Sequence, residues 1–161
     1  MYKRILVPVD DSPACEAAAR EAARLARASR GTAHLLSIVD EDVIHSRGVL
    51  VTFRETYKQE LQAAAKKVLG RLTRVCARTG VRCRTHLAEG RVVASILRHA
   101  ESLRADLIVL GAKQRGKLAG LVVGDRAQEV ARQTHLPVLL VPVRRPPPRL
   151  PASGSPGSAR G

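Results

Sequence analysis

The sequence contains very few aromatic residues. Phe, Trp and Tyr together make up 2% of the 161 residues, and tryptophan is missing altogether. Proteins that recognise RNA or single strands stack bases on aromatic rings, so this composition argues against both modes of recognition. Because hydrophobic residues still reach 45%, the core must be built from Ala, Val, Leu and Ile. That composition is typical of parallel strands buried on both faces beneath helices.

Cysteines are also few, and none has the spacing of a metal ligand or of a disulfide framework. The three are Cys15, Cys76 and Cys83, an odd number without a two-residue spacing. We interpret Cys76 and Cys83 as small apolar side chains of the core. The five histidines show no ligand spacing, and no serine or cysteine has the surroundings of a nucleophile. The sequence therefore predicts no metal site and no catalytic residue.

Long apolar runs are missing as well. The first ten residues, MYKRILVPVD, lack the apolar segment of a signal peptide. No run reaches the ~20 apolar residues of a membrane-spanning helix. We therefore expect no membrane span and a reducing, cytoplasmic setting.

Acidic residues are half as numerous as basic ones. Lys and Arg number 28 against 14 Asp and Glu, which gives a net charge of +14. The segment after Val143, RRPPPRLPASGSPGSARG, carries four of the arginines and no acid, and subtracting these four leaves +10 on the preceding part. A basic balance admits nucleic acid, an anionic surface or acidic ligands as partners. We do not expect nucleic acid to be the partner, because charge alone indicates solubility and partners in general and a solvated surface explains it.

One basic stripe has helical spacing: Lys67, Arg71, Arg74 and Arg78. A solvated helix face is the default interpretation of such a stripe. An acidic partner that binds the stripe is the alternative.

Strand and helix patterns alternate along the first 143 residues. Apolar or alternating runs predict strands over residues 4–10, 33–40, 81–88, 106–111 and 137–143. Helical patterns cover residues 12–30, 53–79, 89–105 and 125–134, and residues 41–52 are predicted to form a loop. Such alternation predicts an α/β fold with a doubly wound, five-stranded parallel sheet of order 3-2-1-4-5. Residues 144–161, rich in Pro, Arg, Ser and Gly, are predicted to be a disordered tail outside the domain of residues 1–143.

The first helix has clear boundary signals. Ser12 can cap it and Pro13 suits its first position, while Gly31 is predicted to close it.

A glycine-rich segment, GAKQRGKLAGLVVGD, follows the fourth predicted strand. Gly111, Gly116 and Lys117 have the spacing of a phosphate-binding loop, but Leu118 stands where such a loop needs serine or threonine. The loop also follows the fourth strand, whereas a phosphate-binding loop follows the first strand of its domain. A magnesium-dependent ATPase loop is therefore not indicated.

The position of this segment nevertheless suits a ligand site. In a doubly wound sheet, ligands bind at the carboxyl ends of the strands where the strand order reverses. For the predicted order this point lies between the first and fourth strands, which end at Asp10 and Gly111.

Four segments, in this order and spacing, resemble the universal stress protein family. They are ILVPVDDS, EGRVVASIL, ADLIVLGAKQRG and THLPVLLVPV, and the resemblance covers residues 2–143. It implies a single flavodoxin-like domain of the adenine-nucleotide alpha hydrolase-like kind. It also implies that Asp10 and the backbone of Ile38 occupy the adenine-contacting positions. For Asp10, capping of the following turn and helix is the alternative interpretation.

The loop departs from the pattern of the nucleotide-binding members of that family. Their loop runs glycine, two residues, glycine, nine residues, glycine, then serine or threonine. Gly111 and Gly124 match the first and third glycines, whereas Gln114 replaces the second glycine and Asp125 replaces the hydroxyl residue. A glutamine at that glycine position resembles the branch of the family that does not bind ATP and acts as a dimer.

Both replacements oppose phosphate binding. Gln114 adopts positive φ less readily than glycine, and Asp125 is predicted to cap the last helix and to occupy its amides. At ~4 Å, its repulsion of a phosphate costs about 1 kcal/mol in water and about 4 kcal/mol at an effective dielectric near 20. Lys113, Arg115 and Lys117 would offset part of this cost.

These observations predict a non-enzymatic, dimeric stress-response or signalling module with weak or no ATP binding. No cofactor is required by this interpretation, and its protein partner is unidentified. The alternative is an ATP-binding, slowly hydrolysing protein that uses Asp10, Ile38, Gly111, Arg115 and Gly124. A polyanion-binding module is the third interpretation.

The last predicted strand, LPVLLVPV, is apolar throughout, and the topology places it at an edge of the sheet. Such an edge invites pairing with another chain unless something covers it. We therefore predict a homodimer whose fifth strands pair about a twofold axis. The predicted interface residues are Val138, Leu139, Leu140, Val141 and Val143.

Overall fold

The computed structural model describes residues 1–46, 51–114, 121–122 and 124–143. The strands are β1 (Arg4–Pro8), β2 (Thr32–Asp40), β3 (Cys83–Gly90), β4 (Leu107–Gln114), β5 (Leu121–Val122) and β6 (Val138–Pro142). The helices are α1 (Pro13–Ser29), α2 (Glu41–Ser46), α3 (Arg54–Ala77), α4 (Val92–Ser102) and α5 (Asp125–Gln133), and a 3-10 turn (Val51–Phe53) precedes α3.

Five parallel strands form the sheet in the order β3-β2-β1-β4-β6. Since β6 is the fifth strand of the sequence prediction, the predicted order 3-2-1-4-5 is confirmed. The structure adds β5, a two-residue strand antiparallel to the end of β4, in which Leu121 pairs with Gln114. A strand of two residues is too short to produce a periodic pattern, and the sequence did not predict it.

Two apolar clusters cover the two faces of the sheet, as a doubly wound fold requires. On the first face, α1 and α3 pack over β1, β2 and β4. Ala18, Ala22 and Ala26 of α1 are fully buried there, and their small side chains let the helix lie close to the strands. On the second face, α4 and α5 cover a cluster that includes Leu6, Leu36 and Ile108.

Two local predictions were wrong. Residues 41–46 form α2, where a loop was predicted, because the Asp40 carboxylate accepts the Asp42 amide at 3.1 Å and stabilises the first turn. The left-handed residue that ends α1 is Arg30 (φ 53°), and not Gly31. A glycine is needed at position 31 for another reason, since a Cβ there would lie 2.6 Å from the Lys3 carbonyl oxygen.

The start of α1 agrees with the prediction. The Ser12 side chain accepts a hydrogen bond from the Cys15 amide at 3.2 Å, and Pro13 begins the helix. None of the described helices is long and apolar enough to cross a membrane. The predicted tail, residues 144–161, lies outside the described residues.

Candidate functional site

A cavity of about 470 Å³ lies at the carboxyl ends of β1 and β4, where the strand order reverses. Its wall is largely apolar and is formed by β1, β2, β4, α4 and α5. The main apolar contributors are Val9, Leu36, Ile38, Val92, Ile96, Leu110 and Val130. The polar and glycine positions are Asp10, Gly111, Gly124, Asp125 and Arg126. A slot of this size, with apolar walls and a few polar groups, has the usual character of a small-molecule site.

Asp10 and Ile38 line this cavity from neighbouring strands. Val9 donates its amide to the Leu36 carbonyl at 2.8 Å, and the last pair between β1 and β2 is Pro8 with Leu36. Alternate residues of a parallel strand direct their backbone groups to the same neighbour. The N–H and C=O of Ile38, two residues beyond Leu36, therefore point into the gap where β1 has already ended.

Gly111 lies where β4 passes the start of α1. A Cβ at this position would lie 2.5 Å from the backbone carbonyl group of Ala14. The close approach of strand and helix therefore requires glycine here, whether or not a ligand is bound. The neighbouring Cys15 also lines the cavity, and burial raises the pKa of its thiol to about 11, with Asp10 among the smaller contributions. Cys15 is thus a neutral thiol at physiological pH.

The start of α5 differs from the prediction for Asp125. Gly124 is the N-cap residue, Asp125 is the first helical residue, and no side chain among the described residues caps the helix. The expectation that Asp125 satisfies these amides was therefore wrong, because a residue inside the helix does not reach back to them as an N-cap does. Its carboxylate still lies at the positive end of the helix dipole and lines the cavity.

An ion pair at the mouth of the cavity was not predicted from the sequence. Arg126, the second residue of α5, donates to the Asp40 carboxylate at 2.5 Å, and the Asp40 side chain is only 10% exposed. The pair joins the end of β2 to the start of α5. Asp40 ends a strand just as Asp10 follows one, and this position at a strand end was the signal that could have identified Asp40. Its partner Arg126 could not be identified in this way, because it lies 86 residues away in the sequence.

Two members of the predicted loop cannot be placed in the site. Gln114 is the last residue of β4, where its backbone pairs with Leu121, and its side chain is outside the described set. Arg115 lies outside the described residues altogether. The structure therefore brings together Asp10, Ile38, Gly111, Gly124 and Asp125 of the predicted positions.

Three histidines that looked unrelated in the sequence lie together, on β2, β3 and α4. His34 Nδ1 is 3.0 Å from His86 Nε2 and the two rings stack, while His99 lies edge-on to His86 at 6.4 Å between ring centres. Burial is the main cause that lowers the pKa of both His34 and His86. The described residues contain no group of His, Cys, Asp or Glu arranged to hold a metal ion.

The basic stripe on α3 is not uniform. Arg71 is held by two carboxylates, those of Asp11 at 2.8 Å and Glu16 at 2.9 Å, and it joins α3 to α1. Lys67, Arg74 and Arg78 are exposed. The interpretation of a solvated face is therefore wrong for Arg71. Its two ion pairs give this residue a structural role, since they hold α3 against α1.

The last strand lies at the edge of the described sheet and pairs with β4. Its side chains are half-buried and alternate between the faces: Leu139 and Val141 contact the first cluster, and Val138 and Leu140 the second. Val143 follows the strand and is half-buried too.

Comparison with known proteins agrees with this architecture. Residues 1–142 match the family model described as the universal stress protein family. The universal stress protein MJ0531 of Methanocaldococcus jannaschii is 31% identical over 144 residues, covering 88% of this chain and 82% of the relative. A universal stress protein of Thermus aquaticus is 33% identical over 142 residues, covering 88% and 99%.

Solved structures share the fold. The structure of MJ0577, also from M. jannaschii, has a TM-score of 0.74 and 24% identity over 90% of this chain and 98% of that one. The universal stress protein of Archaeoglobus fulgidus in complex with dAMP has a TM-score of 0.61 and 22% identity, covering 87% and 98%.

Proposed function

This chain belongs to the universal stress protein family, and we propose that it is a non-enzymatic, dimeric stress-response or signalling module that binds ATP weakly or not at all. The observation that carries this proposal is the charge around the cavity. Asp10 and Asp125 line it, and the one lining cation among the described residues, Arg126, is already paired with Asp40. A triphosphate that entered would meet two carboxylates and no unpaired cation from the described wall.

A second candidate function, binding of an adenine nucleotide, is supported by a different observation. The cavity has apolar walls, and the backbone groups of Ile38 face it beyond the end of β1. Adenine presents one flat apolar face and hydrogen-bonding edges, which such a slot can accommodate. The relative from A. fulgidus with dAMP bound supports this candidate by likeness of fold. Gly111 and Gly124 would flank the sugar and phosphate, and Asp10 would bond the adenine or ribose.

Titration calorimetry with adenosine, AMP and ATP separates the two candidates. If the carboxylates dominate, affinity falls as phosphates are added, and ATP binds no tighter than about 1 mM, roughly −4 kcal/mol. Affinity that rises from adenosine to ATP would overturn the first proposal and support the second. If none of the three ligands binds, the protein is a module that binds no adenine nucleotide, and the second candidate function is excluded.

Variants at the two departures from the family loop provide the control. The double change Gln114→Gly with Asp125→Ser removes one carboxylate and restores one glycine. ATP should then bind about tenfold tighter or better, because removal of an unfavourable ~1.4 kcal/mol is a tenfold change. The charge-conserving Asp125→Glu should leave ATP binding as weak as before.

The dimeric part of the proposal rests on β6. This strand is apolar and lies at the edge of the described sheet, with β4 on one side. We propose that a second copy pairs with its outer side.

A reducing, cytoplasmic setting also belongs to the proposal, since the described cysteines Cys15, Cys76 and Cys83 are free thiols.

A further inference from the structure

Arginines collect where the helices of the first face end. α1 places Arg27 in its last turn and Arg30 at its C-cap, and α3 places Arg74 in its last turn and Arg78 at its C-cap. Both helices run back against the strand direction, so these ends lie at the edge where the parallel strands begin. A cation at a helix C-terminus is stabilised by the negative end of the helix dipole.

Four further basic residues lie at the starts of the strands: Lys3, Arg4, Arg82 and Arg104. Hydrogen bonds join these segments into one surface. Thr32 donates its amide to the Lys3 carbonyl at 2.8 Å, and Ala33 donates to the Arg82 carbonyl at 3.3 Å. Arg4 Nε donates to the Arg104 carbonyl at 2.7 Å. We call this set of eight residues, from helix ends and strand starts, the basic edge.

The charge of the basic edge is not balanced by acids. All eight side chains are exposed, and none takes part in an ion pair among the described residues. The carboxylate of Asp106, which lies at this edge, accepts the backbone amides of Lys3 and Arg4 at 2.8 and 3.0 Å. At the opposite edge the strand ends carry Asp10, Asp40 and Glu89. The eight cations of the basic edge and these three strand-end carboxylates therefore lie at opposite edges of the sheet.

The shape of the basic edge limits the class of partner that can bind it. Two cavities, one of about 470 Å³ and one of about 320 Å³, lie at the opposite end. Binding of a protein segment normally depends on an apolar anchor in a pocket, and neither of these two cavities lies at the basic edge. The exposed large apolar side chains near it are Met1 and Tyr2 at the chain terminus. Dispersed cations without a pocket suit a phosphate backbone.

We propose that the basic edge binds the phosphate backbone of double-stranded nucleic acid without sequence preference. Five strands spaced ~4.8 Å apart give an edge about 20 Å wide, and a duplex presents one charge per ~1.7 Å of axis over that length. Seven of the eight residues are arginines, whose planar guanidinium matches phosphate oxygens in pairs. The scarcity of aromatic rings does not oppose this mode, since no base is stacked.

Fluorescence anisotropy with a labelled 20-base-pair duplex tests the proposal in the full-length chain. With about four phosphates contacted, affinity should fall about 100-fold between 50 and 200 mM salt. The paired variant Arg27→Gln with Arg74→Gln should weaken binding about tenfold or more at 100 mM salt and lower the salt slope by about 2. Both side chains are exposed, so loss of their interaction with the helix dipoles should lower the melting temperature by no more than a few degrees.

The matched control removes the same charge from the middle of α3, with Lys66→Gln and Lys67→Gln. These exposed residues lie two turns from the basic edge, and the loss should be no more than about twofold. Equal weakening by both pairs would overturn the proposal in favour of diffuse attraction. A variant with Arg144, Arg145, Arg149 and Arg160 changed to serine should keep its affinity; binding that depends on these four instead would also overturn it. So would tighter binding to polyglutamate or to phosphatidylserine vesicles than to the duplex.

Discussion

At the scale of single residues, Gly111 and Gly124 look equivalent in the sequence, since both match family glycines. The structure separates them. Gly111 has no room for a side chain, because the backbone of Ala14 lies against it, whereas no atom of the described residues lies within 4 Å of the Cβ position of Gly124. Gly124 also has an ordinary backbone conformation, with φ −63°. The first glycine is therefore required by packing, whereas packing among the described residues does not require the second.

Alanine at these two positions should have opposite consequences. Gly111→Ala should destabilise the protein by about 1–3 kcal/mol, as overpacking does, while Gly124→Ala should cost only about 0.5 kcal/mol, because alanine is a poorer N-cap than glycine. Urea unfolding measures both. If adenosine or AMP binds the parent, Gly124→Ala should weaken that binding although the protein stays folded. Equal stability of the two variants would contradict the close contact at Ala14.

The histidine cluster predicts acid sensitivity. Burial first, then the charges of His86, Arg84 and Arg4, lowers the pKa of His34 below its usual 6.5 in the folded protein. The unfolded chain therefore takes up this proton more readily, and protonation favours unfolding. The stabilising contribution of neutral His34 is complete above about pH 6.5 and is lost as the pH falls through and below that value.

Thermal unfolding between about pH 7.5 and pH 5 measures this effect. His34→Gln keeps a polar side chain but cannot titrate, so its melting temperature should fall by a few degrees less than that of the parent over this range. His135→Gln changes an exposed histidine and should follow the parent. If the melting temperatures of the parent and of His34→Gln depended on pH in the same way, protonation of the cluster would not destabilise the folded protein.

At the scale of elements, the proposed dimer depends on which backbone groups of β6 point outward. Ile108 donates its amide to the Pro137 carbonyl at 3.0 Å, and Ile108 is the register partner of Val138. Pro137, Leu139 and Val141 therefore direct their backbone groups to β4, and Val138 and Leu140 direct theirs away from the sheet. Lysine at Leu140 or Val141 would disturb the apolar clusters that these side chains contact, so the backbone is the better place to test pairing.

Leu140→Pro and Leu140→Ala form a matched pair for this purpose. Both lose the same contacts with the second cluster, but only proline removes the outward amide, a change that edge strands tolerate. Sedimentation at micromolar concentration should show the parent and Leu140→Ala as dimers and Leu140→Pro as a folded monomer. A monomeric parent, or a dimer that survives Leu140→Pro, would exclude pairing through β6.

At the scale of the whole molecule, the family match ends at residue 142 and the described residues end at 143. The following 18 residues contain five prolines and little apolar surface, so they have little to offset the entropy lost on ordering. Truncation after Val143 should therefore leave the melting temperature within about 2 °C of the parent. Differential scanning calorimetry provides the measurement, and a larger fall would show that the tail packs on the domain.

Much of the site and fold was predictable because it depends on local patterns. Alternating strand and helix signals predicted the order of the parallel strands. The ends of the first and fourth strands then located the cavity between Asp10 and Gly111 without any knowledge of side-chain contacts. Ser12 and Pro13 likewise marked the start of α1, because a cap acts within one turn. Three short elements were not predicted: the six residues of α2, the three of the 3-10 turn and the two of β5 are too short to show a period.

The sequence by itself thus determined the architecture, the position of the cavity and the total excess of positive charge. Only the tertiary structure decided how distant residues combine: Arg126 with Asp40, His34 with His86, and Gly111 with the backbone of Ala14. It also decided that the eight cations of the basic edge lie at one edge of the sheet and the strand-end carboxylates at the other. The physical reason is that secondary structure and strand order follow from periodicity along the chain, whereas pairing of charges and close packing depend on the register between segments that meet only when the sheet has formed.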